Sequence, residues 1–190
     1  MFGATSQGNV EEVKKILKNH PNLDVNKTDE TKQNVLFKAC GSGQYAIVSI
    51  LLAHPGINVN QRNHVGRTLF MQSCEKGHLS CVHLLLGDSR VRVNEPGKNG
   101  HTPLWFAAVN GRLDVIKWWI ASGREMYLGT PGHRKSDAIG RSEKSGNPEV
   151  VALLERFKND AAKTRDEIRM ELGINGKYSC SCSILLSDYF

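Results

Sequence analysis

Gly100-His101-Thr102-Pro103-Leu104-Trp105-Phe106-Ala107-Ala108-Val109-Asn110-Gly111, continuing as Arg112-Leu113-Asp114-Val115-Ile116-Lys117-Trp118-Trp119-Ile120, decides how the rest of the chain is read. It spells a turn, a short helix, a glycine stop and a second helix. Thr102 stands where its hydroxyl caps the first helix, and Pro103 takes the first helical position, where a missing N–H costs nothing. Leu104, Ala107 and Ala108 recur at i, i+3 and i+4, a narrow apolar face of mostly small side chains. Gly111 suits a left-handed stop, and Ile116, Trp119 and Ile120 repeat the spacing on the second helix. A helix pair this short cannot bury its apolar face alone, so it requires neighbours.

The neighbours lie 34 residues apart, from Thr102 back to Thr68 and again to Asn34. Thr68-Leu69-Phe70-Met71-Gln72-Ser73 precedes Gly77, with Val82, Leu85 and Leu86 beyond it. Asn34-Val35-Leu36-Phe37-Lys38-Ala39 precedes Gly43, with Val48, Leu51 and Leu52. Ala4, Gly8, Val13, Ile16 and Leu17 form a half unit begun abruptly at Met1, and Asp137-Ala138-Ile139-Gly140-Arg141-Ser142 with Gly146, Val151 and Leu154 a degenerate fifth copy. Early units also close on one dipeptide: Val25-Asn26, Val59-Asn60 and Val93-Asn94. A fixed period of this length and content predicts an all-α solenoid of stacked helix pairs, stabilised by each unit packing on the next.

Here the chain resembles the ankyrin-repeat family, whose signature is T-P-L-H-x-A. Thr102 to Ala107 matches it with Trp105 in place of His; Thr68 to Ser73 matches more loosely, without the Pro. The resemblance covers residues 2–157, with departures at Asn34-Val35 and Asp137-Ala138. The expected organisation is five units, 1–28, 29–62, 63–96, 97–131 and 132–157, with β-turn tips, then a C-terminal capping helix over 158–173 and a disordered tail over 174–190. A helical period persists through Leu154, Phe157, Ala161, Ile168 and Leu172, as one helix or as two joined near Lys158-Asn159. Glu12 and Lys15 fall where later units carry Ile47 and Ile50, so the first unit has the polar outer side of an end cap.

Family resemblance implies a non-enzymatic, monomeric protein-interaction module or scaffold, binding a partner through the concave strip of turn tips and first helices. The tip positions in this chain are Glu30, Thr31 and Gln33; His64, Val65 and Arg67; Lys98, Asn99 and His101; and His133, Arg134 and Ser136. Ahead of each glycine stand Gly41-Ser42, Glu75-Lys76, Val109-Asn110 and Lys144-Ser145. Apart from Glu30 and Glu75, every ionisable group in the strip is basic or histidine. The expected partner is another protein with an acidic surface, with Val65, Val109 and Trp105 as apolar anchors. The same resemblance suggests Asn26, Asn60 and Asn94 as asparagine-hydroxylation sites, although a role in the turn accounts for them as well.

Composition sets the outer bounds. The 190 residues are 39% hydrophobic and 23% charged with a formal net charge of +6, ordinary for a soluble protein. No apolar run approaches the ~20 residues of a membrane span and no basic-then-apolar leader opens the chain, so a cytosolic or nuclear location is expected. Cys40 and Cys74 hold the place of Ala108, and Cys81 that of Val115, as small packed side chains. Cys180-Ser181-Cys182 is neither a redox pair nor a zinc knuckle, and an odd total of five cysteines argues against a disulfide framework.

No catalytic constellation emerges, and neither a cofactor nor a small-molecule substrate is expected. Gly97-Lys98 and Gly176-Lys177 do not end a phosphate-binding loop. His78 and His83 have slots in the repeat, and Trp118-Trp119 aligns with Ile50-Leu51 and Leu84-Leu85, which favours core packing. Two other functions compete. Electrostatic binding to nucleic acid or an anionic membrane follows from the net charge, but basic and acidic residues interleave and no basic amphipathic face appears. A regulatory or targeting arm of a longer polypeptide is suggested by the abrupt start at Met1.

Overall fold

The computed structural model describes residues 1–174. Over these residues the chain is helical: α1 Phe2–Ser6, α2 Val10–Asn19, α3 Val35–Gly41, α4 Tyr45–Leu52, α5 Leu69–Lys76, α6 Leu79–Gly87, α7 Pro103–Val109, α8 Leu113–Ser122, α9 Ala138–Lys144, α10 Pro148–Asn159 and α11 Ala161–Glu171. α1, α3, α5, α7 and α9 stack in one layer; α2, α4, α6, α8 and α10 stack in the other. The fold is the expected solenoid of helix pairs.

Four of the first helices begin on a side-chain cap. The Thr68 and Thr102 hydroxyls accept from the Met71 and Trp105 N–H groups, each at 3.2 Å. Asn34 and Asp137, the two departures from threonine, do the same job at 2.9 Å for Phe37 and Gly140. Each carries an acceptor oxygen on a short side chain, which is what the cap requires.

The glycine between the helices of a pair has two reasons to be glycine. Gly8, Gly43, Gly77 and Gly111 all have φ between 63° and 74°, the left-handed region. An added Cβ would also meet the residue that opens the next unit's second helix: Gln44 at 2.8 Å, His78 at 2.9 Å, Arg112 at 2.8 Å and Asn147 at 2.8 Å. Three of those residues reach back to satisfy carbonyls at the end of the preceding unit's first helix. His78 Nε2 lies 3.2 Å from the Gly41 carbonyl, Arg112 Nε donates to Glu75 (3.0 Å), and Asn147 Nδ2 donates to Ala108 and Val109 (2.9 and 3.0 Å).

Arginines seal the other layer in the same way. Arg90 donates to the Leu52 carbonyl (2.7 Å), Arg124 to Leu86, Asp88 and Val91, and Arg165 and Arg169 to Ile120 and Ala121. The orphan carbonyls closing α4, α6 and α8 thus each meet a cation, favourable for hydrogen bonding and for the helix dipole. Between the layers Leu51, Leu85 and Trp119 are fully buried, and Phe70 meets Trp119 edge-on with centroids 5.0 Å apart. Cys40, Cys74 and Cys81 are buried and free.

The Val-Asn dipeptides have a clear local role. Asn26 Nδ2 donates to the Gly56 carbonyl (2.6 Å) while its Oδ1 accepts from Asn58 N–H (2.7 Å). Asn60 repeats this on Arg90 and Arg92, and Asn94 on Glu125 and Tyr127. Each amide joins one unit to the backbone of the next.

Two expectations, the bounds of the capping helix and the burial of Trp118, are adjusted. The helical period of 148–172 breaks at Asp160, whose φ of −150° leaves the helix and whose carboxylate caps α11 through Lys163 N–H (3.0 Å). The capping helix therefore spans Ala161–Glu171 rather than 158–173, and residues 158–159 belong to α10. Trp118 is only half-buried, its ring 4.7 Å from that of His83, whereas Trp119 enters the core. The tail assigned to 174–190 lies outside the described residues beyond Ile174, as do Cys180 and Cys182.

Candidate partner-binding surface

Three successive tips share one turn. Asp29, Asn63 and Gly97 each donate their N–H to the carbonyl four residues on (Gln33, Arg67 and His101, at 3.0, 3.0 and 2.9 Å). Their own carbonyls accept from Lys32, Gly66 and Gly100 at 2.9, 2.9 and 2.8 Å. The fourth residue is left-handed in all three, with φ of 59°, 79° and 79°; only Lys32 is not glycine. In the first tip the Asp29 carboxylate takes N–H bonds from Thr31 and Gln33, the Thr31 hydroxyl, and the Lys38 ammonium at 2.7 Å. Partial burial pushes that carboxyl up, but these donors outweigh it and hold it well below the ordinary carboxylate range.

Each tip leans on its neighbour. His64 N–H donates to the Thr31 carbonyl (2.9 Å), and the Lys98 side chain lies over Gly66 as Lys135 lies over Gly100. Arg62 ties two tips by donating to the Gly66 carbonyl, Pro96 carbonyl and Glu95 carboxylate. The fifth tip is built differently: Asp137 Oδ2 accepts from Gly132 N–H (2.7 Å), and Ser136 Oγ meets His133 Nδ1 at 3.0 Å.

The 34-residue spacing arranges the strip in rows. One row comprises Gln33, Arg67, His101 and Ser136; another, two residues ahead of each glycine, comprises Gly41, Glu75, Val109 and Lys144. Between them runs a row five residues ahead of each glycine: Lys38, Gln72, Phe106 and Arg141. That middle row was missed from sequence, although polar residues in three of four registers of an otherwise apolar helix are a signal for it.

The structure treats the expected strip residues unequally. Arg67 pairs with Glu75 at 2.6 Å, and Lys76 Nζ donates to the Gly41 carbonyl (2.8 Å), so these three are engaged within the stack. His64, Val65, Lys98, Asn99, Asn110, His133 and Arg134 are exposed, and His101 and Val109 are half-buried. Lys98, Arg134, Lys135, Arg141 and Lys144 have no carboxylate partner among the described residues. Within the strip of tips and first helices, the cations without a carboxylate partner other than Lys32 and Lys76 thus fall on the fourth and fifth units.

An aromatic cluster sits beside it. The His101 and Trp105 rings lie 4.0 Å apart, and Trp105 meets Phe106 edge-on at 5.2 Å. Trp105 Nε1 donates to the Arg134 carbonyl (3.1 Å), and His101 Nδ1 lies 3.2 Å from the Lys135 carbonyl. The Arg67 guanidinium lies 4.6 Å from the Phe106 centroid and that of Arg141 5.7 Å from Trp105, within cation–π range. Burial lowers the His101 pKa, and the nearby Lys135, Arg67 and Arg141 charges lower it further against its carbonyl contact. Its imidazole is neutral at neutral pH.

Among the described residues no group of three or more His, Cys, Asp or Glu could hold a metal ion, and no helix is long and apolar enough to cross a membrane. Residues 1–63 and 55–128 match the family described as ankyrin repeats (3 copies). No curated protein matches the chain. Ankyrin repeats are generally protein–protein interaction modules, typically without catalysis. With the family match spanning residues 1–128 and the stacked, glycine-stopped helix pairs continuing past it, this chain belongs to the ankyrin-repeat family.

Proposed function

We propose that this chain is a non-catalytic interaction module that grips a partner protein along the strip of turn tips and first helices, centred on the fourth unit. The observation supporting this reading is the half-buried Trp105 of the fourth unit with the Arg141 guanidinium 5.7 Å from its ring, on a face where cations of the fourth and fifth units lack an acidic partner. A strip of three or four tips covers about the 800 Å² per partner of a stable interface. Opposite charge on the partner would speed encounter and set orientation more than affinity.

Crosslinking mass spectrometry from native lysate, with wild type beside an Arg67→Glu, Lys98→Glu, Arg134→Glu triple variant, tests the reading. Crosslinks from the tips and first helices that vanish in the variant support it. Equal retention of every partner, or crosslinks confined to the second helices, overturns it. The same strip would serve a regulatory arm of a larger protein equally well. Non-specific binding to nucleic acid or anionic membrane is less favoured, because Arg62, Arg90, Arg112, Arg124, Arg165 and Arg169 all bond within the stack. Hydroxylation of Asn26, Asn60 and Asn94 remains a separate proposal, removed by an intact mass with no added oxygen.

A further inference from the structure

The Arg67 and Arg141 guanidiniums differ from the other arginines of the molecule in resting against aromatic rings. A guanidinium within cation–π range of a ring is steadied by it, while its N–H donors stay free for a carboxylate, so such an Arg presents a partly preorganised fork. Arg141 makes no side-chain hydrogen bond or ion pair among the described residues, and Arg67 commits one nitrogen, Nη1, to Glu75. The consecutive contacts Arg67–Phe106, Phe106–Trp105 and Trp105–Arg141 are 4.6, 5.2 and 5.7 Å. The two forks therefore fall within the ~17 Å that five residues of extended chain cover.

We propose that this pair of aromatic-backed arginines receives two carboxylates of an extended acidic peptide segment of the partner protein, with Lys98 and Lys135 reinforcing it from the tips. The proposal rests on the function proposed above and names the partner's chemistry. Single-stranded nucleic acid fits less well. It needs bare ring faces for its bases, whereas Trp105 already carries His101, Phe106 and Arg141 against it and Phe106 is 6% exposed.

Fluorescence anisotropy of a fluorescein-labelled hexaglutamate peptide on the full chain tests the proposal. The peptide binds at low salt and weakens as salt rises. Arg141→Gln, which removes no internal hydrogen bond or ion pair, weakens binding about tenfold or more, as expected for a lost charge-assisted hydrogen bond. Glu75→Gln, which removes the carboxylate charge that competes for Arg67, tightens it, and Lys18→Gln on α2 leaves it unchanged. The proposal is overturned by no binding at low salt, by an Arg141→Gln variant that binds like wild type, or by oligodeoxythymidine or phosphatidylserine vesicles competing as well as unlabelled hexaglutamate. A native partner that crosslinks to the strip but is not displaced by hexaglutamate refutes this inference alone. Crosslinks confined to the second helices refute the function proposed above along with it.

Discussion

Lys32 is the one non-glycine residue with positive φ among the described residues, at the position where the next two tips carry Gly66 and Gly100. A left-handed backbone costs an L-residue with a Cβ roughly 1–2 kcal/mol. Lys32→Gly should therefore stabilise the protein by about 1 kcal/mol after the extra chain entropy of glycine is subtracted. A urea midpoint at or below wild type would contradict this. Titrating residues give a second expectation. Burial lowers the His83 pKa, and burial together with neighbouring cations lowers that of His101. The unfolded chain then takes up protons below about 6.5 that the folded chain refuses, so this stability is fully present above that pH and declines as pH falls through it. Asp29 and Asp88 are also depressed, and their share is lost in a lower window, as pH falls through the ordinary carboxylate range. The melting temperature should drop between pH 7.5 and 5.5, with a smaller drop in His83→Gln; equal melting at the two values would refute the assignment.

Helix ends were the most legible part of the chain, because they depend on one or two residues each. Thr102, Pro103 and Gly111 announce a cap, a start and a stop, and the structure uses them so. Asn34 and Asp137 cap as well as threonine does, since the helix reads an acceptor oxygen and not a residue name. The Asp160 break was legible only as one of two alternatives, a junction near Lys158-Asn159, because the apolar period runs through it and the cap geometry decides between them. The engagement of Arg67, Glu75 and Lys76 was not legible at all: Arg67 and Glu75 meet within one unit and Lys76 reaches the preceding unit, and the repeat pattern carries no record of side-chain pairing. The glycine stops give a differential test. Gly77→Ala meets both the left-handed penalty and a Cβ 2.8 Å from Arg112 Cδ, where Arg112 holds the Glu75 carbonyl. Gly146→Ala meets only the first, with nothing within 4 Å. Gly77→Ala should cost about 2 kcal/mol and Gly146→Ala about 1, measured by urea denaturation; equal losses would mean that the contact with the next unit carries no energy.

A stack of units has no shared centre, so its stability is a sum of each unit's own terms and those of its neighbours. The units are unequal. α5 buries Leu69, Phe70, Met71, Ser73 and Cys74, whereas α9 buries only Ala138 and Ser142. Its turn carries Gly140 within the helix, a further loss of roughly 1 kcal/mol against alanine. The fifth unit's second helix fares better, since α10 buries Val150, Leu153 and Leu154 and receives α11. α11 in turn buries Thr164 and Ile168 and anchors Arg165 and Arg169 on the end of α8. Opening should therefore begin in the inner layer at the fifth unit, not at the C-terminal helices that follow it. From α5 onward, native-state hydrogen exchange should find α9 and its tip exchanging first, α10 and α11 later, and α5 to α8 last, near the global unfolding free energy. This order bears on binding, because α9 carries Arg141. A partner clamped on Arg141 would slow exchange in α9 well before it affects the second helices. Uniform protection across these units, or exchange in α11 ahead of α9, would show that the stack opens as one body or frays from its C-terminal end, and would remove the argument that the binding face lies on a yielding unit.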